Sequence, residues 1–206
     1  MALFSTITVF LLSLGILTGG NLILFFCFLF GIFLLLSIKW FSRDPERIAP
    51  AGDNLVLSAA DGHVVSLENV MENLYIGGEG IVVGVYLSLF DIHINRIPMT
   101  GCVRFLSRKP GTFLPAFRDR ASTRNEQQII GIESTRGKIL MKQIAGCVAR
   151  RIVCRLHLGE SVQAGDRFGI IKLGSRVEIV VPPHTEIKVK VGEKVRAGET
   201  VIGVMR

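Results

Sequence analysis

The first 38 residues of this chain contain no Asp, Glu, Lys, Arg or His. So long an uncharged run is rare in a soluble domain, and it exceeds the roughly 20 residues that cross a bilayer. No basic segment opens it, and no small-residue cleavage site follows an apolar stretch of signal-peptide length, so it does not read as a cleaved leader. Gly19-Gly20-Asn21 divides it into residues 3–18 and 22–38. One continuous helix would be about 57 Å long, against a hydrocarbon core of about 30 Å. The pattern predicts an N-terminal hydrophobic helical membrane anchor over residues 1–38, as a hairpin or as one to two spans. Trp40 and Phe41 stand where an interfacial aromatic belt would lie, and Lys39, Arg43 and Arg47 follow. By the positive-inside rule these cations keep the rest of the chain on the cytoplasmic side of the cell membrane.

The remainder has a different grammar. Residues 39–53 are charged, carry Pro45 and Pro50 and show little periodicity, the marks of a linker. From residue 54 onward, short β-prone runs at 55–58, 63–67, 80–88, 102–106, 128–133 and 138–144 are punctuated by glycine. No long stretch has an apolar period of 3.6 residues; residues 145–154 are the best helical candidate, with strand as the alternative. Residues 54–206 are therefore expected to form a compact, mainly β, barrel-like domain. Near its end, Leu156-His-Leu-Gly-Glu-Ser-Val-Gln-Ala-Gly-Asp166 matches Val189-Lys-Val-Gly-Glu-Lys-Val-Arg-Ala-Gly-Glu199, 33 residues further on. Glycines at fixed turn positions with Val and Ala between them resemble the hammerhead half-barrel of biotinyl and lipoyl carrier domains. No lysine occupies a carrier-like turn between the copies, so the repeat reads as scaffold.

The formal net charge is +7, and the apolar run contributes none of it. A basic domain beside a bilayer favours anionic headgroups. There is no aromatic-interleaved basic motif of a nucleic-acid reader. The four cysteines have no metal-ligand spacing; Cys102, Cys147 and Cys154 sit singly in apolar surroundings and read as free thiols of a reducing compartment. Among the histidines, His157 and His184 lie in strand-turn contexts with no acid pattern that suggests a site, and His63 follows Ala60-Asp61-Gly62. His93 lies in Asp91-Ile-His-Ile-Asn-Arg96, where a strand would put Asp91, His93 and Asn95 on one face. Such a row is either one wall of a site or a solvent-facing edge. A His-x-x-His metal pair fails because Arg96 stands at the fourth position. Gly174-Ser175, between two apolar runs and between the two hammerhead copies, is either an ordinary turn or a bond placed for chemistry.

Taken together, six motifs in order resemble a known family. They are Phe41-Ser-Arg-Asp-Pro-Glu-Arg-Ile-Ala-Pro50, Ala60-Asp61-Gly62, Asp91-Ile-His-Ile-Asn-Arg-Ile-Pro-Met-Thr-Gly101, Asn125-Glu126, Gln143-Ile-Ala-Gly-Cys-Val-Ala-Arg-Arg-Ile152 and Phe168 through Leu173-Gly174-Ser175. Their order and spacing resemble the phosphatidylserine decarboxylases in their short, membrane-associated form, over roughly residues 40–206. Three departures are visible: Phe41-Ser42 replaces an aromatic pair, Arg176 follows the reactive serine where relatives often carry a small or hydroxylated residue, and Arg96 replaces a second histidine found in some members.

The resemblance implies a pyruvoyl enzyme that processes itself. Ser175 would attack the Gly174 carbonyl, and the chain would part into a β chain, 1–174, and an associated α chain, 175–206, that begins with a pyruvoyl group made from Ser175. A hydroxyl needs a base to become a nucleophile. His93 is the candidate base and later proton donor, with Asp61 as its orienting carboxylate and Asp91 as the alternative partner. The headgroup amine of phosphatidylserine would form a Schiff base, lose CO2 and leave as phosphatidylethanolamine, with no metal and no pyridoxal phosphate. Asp91, Asn95, Arg96, Arg150 and Arg151 are the candidates for headgroup binding. The expected partners are the lipid substrate and the bilayer, with a homodimer allowed and no nucleic acid. The rival readings are a membrane-tethered carrier-like module without catalysis and a decarboxylase of a related serine phospholipid.

Overall fold

A computed structural model describes residues 9–10, 13, 22–41, 43–147, 151–171 and 174–206. They belong to two units that part at the Asp44–Pro45 bond. The first contains helix α1 (Leu22–Phe41), whose apolar side chains, among them Phe26, Phe30 and Phe33, are exposed around it. Arg43 stacks 4.1 Å over the Trp40 ring just beyond its end. Among the described residues no helix is long and apolar enough to cross a membrane. The spanning anchor expected over 1–38 is thus not supported, and most of its first half lies outside the described residues.

The second unit is mainly β, as expected. Its strands are β1 (Leu55–Leu57), β2 (Gly62–Glu72), β3 (Gly78–Leu87), β4 (Ile94–Arg96), β5 (Gly101–Lys109), β6 (Gln127–Ser134), β7 (Gly137–Ile144), β8 (Ile152–Cys154), β9 (Ser161–Val162), β10 (Arg167–Ile171), β11 (Ser175–Val181), β12 (Glu186–Ile187), β13 (Lys194–Val195) and β14 (Val201–Val204), with one short helix, α2 (Ala121–Arg124). Eight of them form a curled half-barrel sheet in the order β13-β2-β3-β11-β7-β6-β5-β9. Two three-stranded sheets, β1-β14-β12 and β4-β10-β8, complete the unit. The stretch 145–154 ends as strand β8 rather than helix, and residues 148–150 of it lie outside the described residues.

The hammerhead repeat organises all three sheets. Gly159 and Gly192 have φ of 85° and 90°, and Gly165 and Gly198 have 90° and 73°, so each copy makes the same two left-handed turns. The amide of Gly159 donates to Val103 of β5, and that of Gly192 to Val64 of β2, at 2.8 and 2.7 Å. Each copy thus caps one edge of the large sheet, through β9 on β5 and β13 on β2. The equivalence extends past the motif: β8 and β10 with β4 mirror β12 and β14 with β1. The unit therefore consists of two similar halves that meet where β11 pairs with β7.

That meeting line is the best-buried part of the molecule. Every residue of β11 is buried, and the strand pairs with β3 on one side and β7 on the other. Val177, Ile179 and Val181 face the main core with Val83, Val85, Ile130, Ile139 and Met141. Val180 packs on the other face with Val82, Ile129 and Leu140. A strand covered on both faces needs apolar residues at odd and even positions alike, which explains the consecutive Ile179-Val180-Val181.

Candidate active site

Ser175 is the first residue of the central strand. Its main chain pairs with Leu87, the last residue of β3. Gly174 before it has φ +65°, a left-handed turn that an L side chain rarely adopts. Sequence alone left this dipeptide undecided, and the structure makes it a tight entry into a rigid strand. Ser175 is fully buried, and its Oγ has no hydrogen-bond partner among the described residues. A buried hydroxyl in that condition carries a desolvation cost, so such groups call for a functional explanation.

His93 is joined through its main chain to the end of the strand that precedes Ser175 in sequence. Its carbonyl accepts the Ile171 amide at 3.2 Å, where β10 ends ahead of Ser175, and Ile94 pairs with Ile170. The side chain is 1% exposed and both ring nitrogens are buried. The strand expected over 91–95 forms only from Ile94; before it the chain bends through a turn. Asp91 closes that turn, its Oδ2 accepting the Ser88 amide at 2.8 Å and the Ser88 hydroxyl at 2.6 Å. Asp91 therefore shapes the loop before His93 and does not share a strand face with it.

Asp61, expected to orient His93, has a partner that the sequence did not suggest. Arg47 grips its carboxylate with both terminal nitrogens, Nη1 to Oδ1 at 2.6 Å and Nη2 to Oδ2 at 2.8 Å. The Ala197 amide adds a third bond to Oδ1 at 2.8 Å, and Arg47 Nη1 also donates to the Ala197 carbonyl at 2.7 Å. Arg47 was expected to serve as a topogenic cation, and it is instead a buried structural residue.

The other candidates divide similarly. Arg96 is buried and donates to two backbone carbonyls, Gly165 and Pro45, each at 2.9 Å. It ties the linker to a hammerhead turn, where it has no opening to a headgroup. Asn95 is fully buried; Gln143 donates to its Oδ1 at 2.8 Å, and its Nδ2 reaches the Ala59 carbonyl at 3.4 Å. Arg151 is exposed just before β8, and Arg150 lies outside the described residues. Asn125, quoted above only as part of a motif, is a buried hub. Its Nδ2 donates to the carbonyls of Leu114 and Ala145 at 2.7 and 2.8 Å, and its Oδ1 accepts the Leu114 amide at 2.8 Å. Burial pushes the Cys154 thiol above its ordinary range, which keeps it a weak nucleophile. Among the described residues no group of three or more His, Cys, Asp or Glu side chains is arranged to hold a metal ion.

Fold and site together define a two-fold repeated β domain with a buried glycine–serine entry to its central strand and a buried histidine bonded through its carbonyl to the end of β10. Residues 34–203 match the family described as phosphatidylserine decarboxylase. The chain is 45% identical over 174 residues to a phosphatidylserine decarboxylase proenzyme of Chlorobium limicola, covering 84% of this chain and 82% of that one. It is 48% identical over 176 residues to the proenzyme of that name from the Wolbachia of Brugia malayi, covering 83% and 76%. A third relative with the same name, from Symbiobacterium thermophilum, is 42% identical over 171 residues, covering 82% and 80%. The chain belongs to the phosphatidylserine decarboxylase family.

Proposed function

We propose that this chain cuts itself between Gly174 and Ser175 and then decarboxylates phosphatidylserine to phosphatidylethanolamine at the new chain end. The observation that carries the reading is the fully buried Ser175 at the head of a strand held from both sides, behind a left-handed glycine. Rigid flanks hold Oγ and the preceding carbonyl in one arrangement, which is how proximity lowers a barrier.

In the first step Ser175 Oγ adds to the Gly174 carbonyl carbon, the C–N bond breaks, and the freed amine takes up a proton. His93 is the base that removes the hydroxyl proton. Loss of the Cα proton of residue 175 then expels the Gly174 carboxylate and ends the β chain. Water replaces the nitrogen of residue 175, and ammonia leaves. A pyruvoyl group fits the position, because burial keeps bulk water from a reactive carbonyl and, among the described residues, no side chain hydrogen-bonds to Oγ. That group supplies the electron sink for loss of CO2 from the headgroup. His93 returns a proton to the carbon that lost the carboxylate. Arg151 is exposed at the edge of the unit and is our candidate for the lipid phosphate.

The apolar N-terminal segment holds the enzyme at the cell membrane, with residues 45–206 on the cytoplasmic side. The uncharged sequence of residues 1–38, the exposed apolar helix α1 and the cations Lys39 and Arg43 after it support this. Intact-mass spectrometry tests the central claim. Wild-type protein gives two chains that part before residue 175, and Ser175→Ala gives one chain of about 22.6 kDa with no CO2 release from phosphatidylserine. An uncut, inactive wild type supports the carrier-like module instead.

A further inference from the structure

Residue 176 follows the scissile bond, and its side chain leaves β11 on the face opposite Ser175. Arg176 is 4% exposed. Its path exists because β3 has glycine at position 84: a Cβ there would overlap Ser66 Oγ and stand 2.8 Å from Arg176 Nη2. The guanidinium crosses β3 through this gap and donates from Nη2 to Ser66 Oγ on β2 at 2.6 Å. Its Nε lies 3.0 Å from Glu178 Oε1 on the same strand, an ionic contact whose angle is not that of a hydrogen bond. Glu178 is as deeply buried as Arg176, accepts the Ser122 hydroxyl of α2, and faces Lys142 Nζ of β7 at 3.9 Å. Arg176 thus ties the second residue of β11 to β2 directly, and through Glu178 it joins a buried cluster that includes α2 and β7.

We propose that Arg176 is a positioning residue that holds the head of the α chain in place once the peptide bond before it is gone. The proposal rests on cleavage at Gly174–Ser175. While the chain is intact, residue 174 tethers the start of β11. After cleavage the start is a chain end, and chain ends fray unless tied down. Arg176 cannot swing out cheaply, because its departure would leave Glu178 as a buried carboxylate without its nearest counter-charge. The reacting group is one residue from this staple, so a fraying head would carry it out of register with the buried site.

Hydrogen exchange over residues 175–181 tests this in Arg176→Met, compared with Arg176 itself, in the cleaved enzyme and in the uncut Ser175→Ala chain. Exchange at the head of β11 is expected to rise on the order of tenfold in the cleaved form and by less than about twofold in the uncut form. On phosphatidylserine in mixed micelles, kcat per cleaved chain falls on the order of tenfold while KM stays within about twofold. Arg176→Lys restores part of both. An equal rise in the two backgrounds means ordinary stabilisation and overturns the proposal, as does unchanged exchange with unchanged kcat. If Arg176→Met does not fold, Ser66→Ala removes the cross-strand bond alone and is judged by the same comparison. A wild type that never cleaves overturns the functional reading along with this one, whereas cleavage with a head insensitive to Arg176 overturns this one only.

Discussion

The Arg47–Asp61 pair gives the sharpest quantitative prediction. Both side chains are largely buried, at 5% and 12% exposure, and they meet through two hydrogen bonds of 2.6 and 2.8 Å. Removing one partner of such a pair leaves a buried, uncompensated charge and costs about 3–5 kcal/mol. A unit of this size has about 5–15 kcal/mol of stability, so single variants stay folded. At about 2–4 °C per kcal/mol, Arg47→Met and Asp61→Asn should each lower Tm by roughly 6–20 °C. The measurement belongs in the uncut Ser175→Ala background, where unfolding involves one chain. The double variant lacks both charges and should lose clearly less than the sum of the two, with a coupling of about 2 kcal/mol or more. Processing of the two single variants in the wild-type background should be affected alike. The alternative, in which Asp61 orients His93, makes a different forecast: Asp61→Asn blocks cleavage at unchanged Tm, while Arg47→Met processes normally. That outcome refutes the structural assignment.

Three further predictions concern single positions. His93→Ala should slow the appearance of two chains about 100-fold or more while the protein stays folded, and normal processing with normal turnover removes His93 from the mechanism. Gly62→Ala should cost about 3 kcal/mol or more, because a Cβ at its φ of 152° would overlap the Tyr86 carbonyl; a denaturation midpoint equal to wild type contradicts the backbone path described. Burial pushes the Tyr75 phenol up to about 12 from 10.0, so its neutral form is favoured in the fold. That contribution is complete below pH 10 and is lost as pH rises toward 12, so Tyr75→Phe should gain stability relative to wild type across that window. A difference that is flat from pH 9 to 12 removes the effect.

Much of the fold was legible because its determinants are local. Glycine spacing set the two hammerhead turns at 159/165 and 192/198, and alternation or apolar runs located β2, β3, β5, β6 and β7 to within a few residues. The extent of the two-fold relation was not legible, since β8 and β12 are too short to carry a pattern. Ser175 and His93 were visible in their motifs, but the pairing of Asp61 with Arg47 was not. Arg47 and Asp61 are 14 residues apart, and the amide that completes the cluster lies at 197. Arg96 was assigned to the headgroup because an arginine in a polar row looks available; its bonds to Gly165 and Pro45 depend on a chain crossing that no local pattern encodes. Asp91 was misplaced on a strand face because a Ser-x-x-Asp turn ends in the same alternation that a strand shows.

The position of β11 also governs how this enzyme can be made. The cut proposed before Ser175 would fall at the head of the innermost strand, and the 32 residues after it thread through two of the three sheets, via β11 and β13 in the large one and β12 and β14 in a small one. Before the cut, closing these contacts is a unimolecular search. After it, the same contacts join two molecules, and their re-formation depends on concentration. The assembled form is therefore a record of its own history. Heat or denaturant would separate two strangers that met only once as neighbours in one chain, and Tm of the cut enzyme should fall on dilution while that of the uncut chain does not.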